Sequence, residues 1–178
     1  MKTGQSRIPE IPQPEDYDPK EVYAFFGLAS YCAQVLEQGL INMAVAFHLA
    51  GTTTLTRELI EQLFETMSAK TFGQLLREAR NLVGMPEDLD TRLRKALRKR
   101  NRLVHNFFVA HSENFLSQAG RRLMITELRE MIGLFSSTDK ALDRVYLPLW
   151  GRLGITEERI EAELGVIKAR VREEEQAK

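Results

Sequence analysis

Residues 19–51 read PKEVYAFFGLASYCAQVLEQGLINMAVAFHLAG and carry the longest helical pattern in the chain. Apolar residues recur in this stretch at alternating steps of three and four, the spacing of one face of an α-helix. The members of this stripe are Val22, Phe25, Ala29, Cys32, Leu36, Leu40, Met43 and Phe47. Asp18 offers an N-cap, Pro19 suits the first helical position, and Gly51 is a typical helix end. We therefore predict a helix over about 19–50 with a single buried stripe, as in a helical bundle.

The same rhythm recurs through the rest of the chain. Further helices are predicted over about 55–67, 72–83, 88–110, 118–147 and 156–174. Asp88 or Asp90 is the predicted N-cap of the 88–110 helix. No stretch shows the period of two that is typical of a half-buried strand. The prediction is an all-α protein: a helical bundle in which two long helices pack around the 88–110 helix, with short covering helices and a C-terminal helix.

Composition points to an ordinary globular protein. The chain has 178 residues, a length that fits one domain with a core of useful size. Cys32 is the only cysteine, so we expect neither a disulfide framework nor a thiolate metal cluster. No apolar run reaches the length of a membrane span, and the N-terminus lacks the apolar core of a signal peptide. We therefore expect a cytoplasmic protein without a membrane anchor.

Three segments differ in character. Residues 1–17 are polar and rich in proline, which predicts a flexible N-terminal arm. Residues 18–150 hold the helical bundle. Residues 151–178 form a C-terminal helix and a charged tail, which we expect to fray at its end.

Charge is unevenly distributed along a chain that is neutral as a whole. Lysine and arginine together number 25, as do aspartate and glutamate. Residues 92–102 nevertheless contain seven basic residues and no acid: Arg92, Arg94, Lys95, Arg98, Lys99, Arg100 and Arg102. Such a segment is compatible with binding a phosphate backbone, and the alternative is an ordinary solvated helix face.

The 88–110 helix places a histidine, His105, just after this basic segment. At about 100° per residue, four apolar residues share one stripe, which predicts the packing seam: Leu93, Leu97, Val104 and Phe108. Arg100 lies at the edge of that stripe. The neighbouring face collects Arg94, Arg98, Asn101, Arg102 and His105. A histidine among guanidinium groups beside an apolar seam suits binding or cleavage of an anion.

Common catalytic motifs are absent from the sequence. There is no phosphate-binding glycine loop, no HExxH, and no histidine with a carboxylate at metal-ligand spacing on one helix face. We therefore expect no metal and no cofactor. A histidine can move a proton, an arginine can hold a phosphate, and RNA supplies its own 2′-hydroxyl nucleophile. Histidine and arginine are thus enough in principle to cleave RNA.

Arg100 and His105 are five residues apart, which restricts how they could cooperate. On one helix they point about 140° apart and differ in height by about 7.5 Å. They could meet if two copies of the helix packed across a two-fold axis, the commonest symmetry of protein oligomers. The spacing therefore predicts a composite site in the cleft of a homodimer.

The segment Arg100-Asn101-Arg102-Leu103-Val104-His105 resembles the motif of the HEPN superfamily. These small all-α proteins carry an arginine and a histidine separated by four to six intervening residues, commonly with a polar residue directly after the arginine. The resemblance implies a dimer with both residues in one cleft and, in many members, metal-independent ribonuclease activity as a toxin or defence effector. It implies Arg100 and His105 as catalytic residues and Asn101 as their polar support. Arg94, Arg98 and Arg102 are the predicted phosphate contacts.

One position departs from a toxin branch of this superfamily. That branch has a tyrosine two residues after the histidine, which a partner nucleotidyltransferase modifies, and here the position is Phe107. An antitoxin of that type is therefore not expected, although another inhibitor protein remains compatible with the sequence.

Other functions stay open at this stage. The main alternative is a non-catalytic HEPN-like domain that binds RNA, a nucleotide or a protein partner. A further one is an oligomeric regulator whose basic helix contacts an acidic protein. A helix-turn-helix that binds DNA fits less well, because apolar positions flank the basic helix at both ends.

Overall fold

The computed structural model describes residues 10–52, 54–82 and 85–176 and confirms an all-α protein. The helices are α1 (Pro19–Ala50), α2 (Arg57–Ser68), α3 (Phe72–Leu82), α4 (Glu87–Ala110), α5 (Gln118–Arg152) and α6 (Glu157–Gln176). A single 3₁₀ turn, Asn114–Leu116, joins α4 to α5. Within the described residues no strand occurs, and no helix combines the length and the apolar character that a membrane span requires.

The N-cap predicted for α1 is confirmed, and the N-cap predicted for α4 is not. The Asp18 side chain accepts a hydrogen bond from the Glu21 N–H at 2.8 Å, as predicted. The predicted cap of α4 is wrong: Pro86 is the N-cap residue there, and it makes no side-chain cap hydrogen bond. Asp90 instead lies inside the first turn, where its carboxylate pairs with Arg80 of α3 and Arg94 of α4. The Asp90 carboxylate thus forms an ion pair between helices instead of the predicted cap.

Helices α1 and α5 form the most extensive helix pair of the bundle. They run in the same direction, since Arg121 donates to the Tyr17 carbonyl at one end and Gly39 lies against Asp139 further along. A Cβ at Gly39 would lie 2.7 Å from the Asp139 Oδ1 atom, so this glycine lets the two helices approach closely. The apolar stripe predicted for α1 is buried in the bundle, apart from the half-buried Phe47.

Helix α4 runs antiparallel to both and lies against one side of the pair. Phe26 of α1 packs on Phe107 and Phe108 near the end of α4, with ring centroids 5.8 and 4.9 Å away. Phe108 in turn contacts Phe115 in the 3₁₀ turn. The pair at the centre is therefore α1 and α5, and α4 is not enclosed between them as predicted.

Helix α5 continues one turn beyond its predicted end at about residue 147. Pro148 removes one backbone donor, but the following residues Leu149 and Trp150 are buried in the core. Trp150 stacks on Phe64 of α2 with ring planes 9° apart. Packing of these side chains outweighs the missing hydrogen bond, so the helix ends at Arg152.

The described part of the N-terminal arm, residues 10–17, lies along the bundle. Ile11 and Tyr17 pack against the core, and the Gln118 side chain donates to the Asp16 carbonyl. Gln13 accepts a hydrogen bond from Arg129 at 3.1 Å. Residues 1–9 of the predicted arm lie outside the described residues.

The start of α5 provides a stability test. Gly120 is buried, and a Cβ there would lie 2.1 Å from the Asn114 backbone oxygen, which cannot rotate away. We expect Gly120→Ala to lower the free energy of unfolding by about 2 kcal/mol or more, as overpacking does. Urea denaturation at a fixed protein concentration measures the change.

Gly133→Ala is the matched control. It lies in the same helix, and a Cβ there meets nothing within 4 Å. We expect it to stabilise the protein by about 0.5–1 kcal/mol, because alanine is the better helix former. Equal stabilities for the two variants would contradict the close approach at Gly120.

Candidate functional site

The rotation of α4 about its own axis decides which residues reach solvent. Its buried residues are Leu89, Leu93, Ala96, Leu103 and Phe107. Val104 and Phe108, predicted in the packing seam, are 53 % and 37 % exposed. The prediction of that seam is therefore wrong for these two residues, and it is confirmed for the buried Leu93 and the half-buried Leu97. The last part of α4 carries two neighbouring apolar pairs. Leu103 and Phe107 face the core, and Val104 and Phe108 do not.

Glu127 of α5 holds α4 in this orientation. Its carboxylate accepts two hydrogen bonds from the Arg102 guanidinium, at 2.6 and 3.1 Å. The Lys99 Nζ atom lies 3.4 Å away, and the His111 Nε2 atom 2.8 Å away. One carboxylate thus joins three basic residues of the α4 segment to α5.

These partners stabilise the charged form of Glu127. The hydrogen bonds from Arg102, above all, lower the pKa of this carboxyl from its usual 4.5 to about 2. The buried His111 is oriented from its other side, because the Asn114 amide nitrogen lies 3.0 Å from Nδ1. A donor at Nδ1 leaves the proton on Nε2, where it can be donated to Glu127. His111 therefore has a structural position.

Arg100 and Asn101 lie together, whereas His105 is separate. The Arg100 Nη1 atom donates to the Asn101 Oδ1 atom at 3.4 Å, and its Nη2 atom lies 3.7 Å from a Glu37 oxygen on α1. His105 is exposed on the outer side of α4 and has no partner within the described residues. The arginine turns towards α1 and the histidine towards solvent, so the two do not converge within one chain.

The predicted phosphate contacts differ in how free they are. Arg102 is bound to Glu127, and Arg94 pairs with Asp90 at 2.8 Å. Arg98 is exposed and has no ion pair within the described residues, and the same holds for Arg92 and Lys95.

The cations available to an anionic ligand are therefore Arg92, Lys95 and Arg98. At about 100° per residue, Arg98 points within about 20° of His105, and Lys95 lies next to it around the helix. Arg92 lies further round, near the start of α4. Arg98 and Lys95 are thus the free cations on the His105 side.

An uncharged surface borders the His105 side of α4. It consists of Tyr23, Gly27, Tyr31 and Gln34 on α1 with Val104 and Phe108 on α4, and we call it the uncharged α1–α4 face. All six residues are exposed, although four of them are large apolar or aromatic residues. Between Glu21 and Glu37, α1 carries no charged residue on any side. That gap is the sequence signal for this surface.

Phe107, the position of the tyrosine in the toxin branch, is buried between Phe26 and His111. A modifying enzyme could not reach this side chain without unfolding the end of α4. Among the described residues, no three His, Cys, Asp or Glu side chains lie close enough together to hold a metal ion.

No family model, curated protein or solved structure matches the chain.

Replacing Glu127 with glutamine tests the contact that orients α4. A carboxyl with a lowered pKa stabilises the fold above its unfolded pKa, and this contribution disappears as the pH falls through the folded value. We expect Glu127→Gln to lose about 2 kcal/mol at pH 7. The difference from the parent protein should shrink as the pH falls from 4.5 towards 2. Urea denaturation at a series of pH values measures it.

Glu130→Gln serves as the control, since Glu130 is exposed on the same helix and has no ion pair within the described residues. Glu130→Gln should lower the free energy of unfolding by less than about 0.5 kcal/mol at every pH. A Glu127→Gln deficit that does not vary with pH would mean that the charge of Glu127 contributes nothing.

Proposed function

We propose that the chain is a homodimeric, metal-independent endoribonuclease of the HEPN type, with Arg100 and His105 as its catalytic residues. The observation that carries this proposal is the position of His105. It is exposed, unpaired within the described residues, and beside free cations and an uncharged face. A surface histidine in these surroundings can move a proton next to a bound phosphate.

The uncharged α1–α4 face supports self-association. Exposed aromatic and small residues without charge are typical of the cores of protein interfaces. Gly27 has open space around its Cβ position, so a second helix could approach there closely. A second copy of the same face is the occupant we propose, since two-fold dimers use one surface twice.

This dimer would remove the angular separation of Arg100 from His105, and the long arginine side chain would have to span the remaining height difference of about 7.5 Å. Around α4, Val104 and Phe108 separate the Arg100 side from the His105 side. A two-fold axis lying in the uncharged face and running along α4 would turn the Arg100 side of one copy towards the His105 side of the other. Asn101 would stand between the two groups, where it already contacts Arg100.

The proposed reaction moves one proton and exchanges one ester bond. The 2′-oxygen attacks the adjacent phosphorus, the bond from phosphorus to the 5′-oxygen breaks, and the proton passes from the 2′-oxygen to the leaving 5′-oxygen. His105 would carry this proton, and Arg100 would stabilise the phosphate as charge develops on it. The products are a 2′,3′-cyclic phosphate and a free 5′-hydroxyl, so the balance needs no further reactant.

A toxin or defence effector that acts in the cytoplasm is the setting we propose for such an activity. The exposed position of His105 would leave the site open to an inhibitor protein, which a cell making a ribonuclease needs.

One observation favours a second candidate, an RNA-binding domain without catalysis. Arg92, Lys95 and Arg98 are exposed and unpaired within the described residues, which is enough to bind a phosphate backbone. This candidate requires neither Arg100 nor the dimer. It predicts RNA binding that weakens steeply with salt and that yields no cleaved product.

His105→Ala tests the catalytic role. Incubation of labelled RNA with the purified protein in EDTA should yield fragments with cyclic phosphate ends, and the variant should cleave at least about 100-fold more slowly. Asn106→Ala, an exposed neighbour, should cleave like the parent. RNA that stays intact with concentrated parent protein would refute the nuclease and leave the binding domain.

Mixing two inactive variants tests whether the site is composite. Arg100→Ala and His105→Ala should each be inactive, but random exchange of their chains gives hybrid dimers in which one site keeps both residues. We expect about one quarter of the parent activity in an equimolar mixture. A mixture as inactive as its components would show that Arg100 and His105 do not act across a dimer.

Gly27→Arg tests whether the uncharged α1–α4 face is the dimer interface. Because the Cβ position at Gly27 is open, the arginine should leave the folded chain intact while it blocks the second copy. The variant should lose cleavage activity, and its assembly should be smaller than that of the parent. Retained activity would place the interface elsewhere.

A further inference from the structure

We infer that α6 is a second self-association element, which pairs antiparallel with α6 of another copy. This inference goes beyond the ribonuclease proposal and does not rest on it. Helix α6 is 20 residues long, yet none of residues 158–176 is buried. In proteins, most of the stability of a helix comes from packing of an amphipathic face. The sequence of α6 and its surroundings indicate what covers it.

The apolar residues of α6 form a regular seam. Ile160, Leu164, Ile167 and Val171 follow each other at steps of four, three and four, and they are 37 to 47 % exposed. Steps of this kind are the spacing of the a and d positions of a coiled coil. In that register Ile160 and Ile167 take the d positions, and Leu164 and Val171 the a positions. The seam has the form of a helix–helix interface with one helix missing.

The space beside this seam is open and mainly apolar. It is a groove of about 560 Å³ between α6 and the start of α2. Its walls are formed by Leu55, Ile60, Leu153 and Ile155 with the first three seam residues. Only Arg159 and Glu163 contribute charge to the lining. A helix laid against the seam would therefore cover apolar side chains of the bundle as well.

Charge complementarity identifies the occupant as a second α6. Glu161 and Glu163 flank the seam in its first half, and Lys168 and Arg170 occupy the equivalent flanking positions one heptad later. In an antiparallel pair, each a position meets a d position of the partner. This register sets Glu161 opposite the other copy's Lys168 and Glu163 opposite its Arg170. All four flanking contacts are then between opposite charges.

The order of the seam residues disfavours a parallel two-stranded pair. Parallel two-stranded coils prefer isoleucine or valine at a and leucine at d, and α6 has leucine at one a position and isoleucine at both d positions. In the antiparallel register, Leu164 packs against Ile167 and Ile160 against Val171. Unlike side chains therefore meet in each of the four apolar layers, and the two helix dipoles oppose each other.

Charge reversal in matched pairs tests the pairing with the full-length chain. Gly27→Arg is included in every protein, so that the uncharged α1–α4 face does not contribute to the mass. One variant carries Glu161→Lys and Glu163→Lys, and the other carries Lys168→Glu and Arg170→Glu. Each variant repels its own copies, but all flanking contacts between the two variants are again attractive.

Sedimentation equilibrium over a concentration series measures the outcome. The Gly27→Arg parent should be a dimer, each charge variant alone should be a monomer, and their equimolar mixture should be a dimer again. Recovery in the mixture cannot come from misfolded variants. A monomeric parent, a dimeric charge variant or a monomeric mixture would each overturn the inference. Cleavage by the protein without Gly27→Arg is assayed separately, so the two proposals fail independently.

Cross-linking determines the direction of the helices. In the antiparallel register, residue 160 lies opposite residue 171 of the other copy and far from its own counterpart. Oxidation of a mixture of Ile160→Cys and Val171→Cys proteins should therefore give disulfide-linked dimers, and Ile160→Cys alone should give none. The native Cys32 is buried and does not compete. Dimers linked through Ile160→Cys alone would overturn the antiparallel arrangement.

Discussion

The carboxylate of Glu127 is the constraint on which the candidate site depends. It joins Arg102, Lys99 and His111 to α5, and together with buried Leu103 and Phe107 it sets the rotation of α4. That rotation directs His105 to solvent and Arg100 to Glu37 on α1. Because His105 and Phe107 point about 160° apart around α4, burial of the phenylalanine keeps the histidine on the outer side of the helix. The position of each motif residue therefore follows from contacts made by residues outside the motif.

The helices could be predicted from the sequence because their apolar periodicity is local, and so could the separation of Arg100 from His105, which follows from helix geometry. The buried face of α4 could not be predicted. Leu103, Val104, Phe107 and Phe108 are four apolar residues on two adjacent stripes, and contacts with other helices, among them those of Glu127 and Phe26, decide between them. The predictions of the α4 N-cap and of the end of α5 were wrong for the same reason. Contacts of Asp90 and Trp150 with other helices override the local preference.

The basic residues of segment 92–102 have different roles in the fold. In the sequence the seven cations look equivalent. In the fold, Lys99 and Arg102 bind Glu127 of α5. Arg94 pairs with Asp90, and Arg100 lies close to Glu37. Only Arg92, Lys95 and Arg98 keep their charge unpaired within the described residues. The phosphate-binding capacity of the helix is therefore smaller than its composition suggests. Two of these three cations, Lys95 and Arg98, lie on the side that carries His105.

The two proposed interfaces would act without interfering with each other. The uncharged α1–α4 face includes the first half of α1, and α6 follows the end of α5. Because α1 and α5 run in the same direction, these surfaces lie towards opposite ends of the bundle. Pairing through α6 would therefore leave the His105 surface open while it joins two clefts in one assembly. A long RNA held at one cleft would meet the second at a raised effective concentration, so the assembly would bind long RNA more tightly than short RNA although each cleft is unchanged.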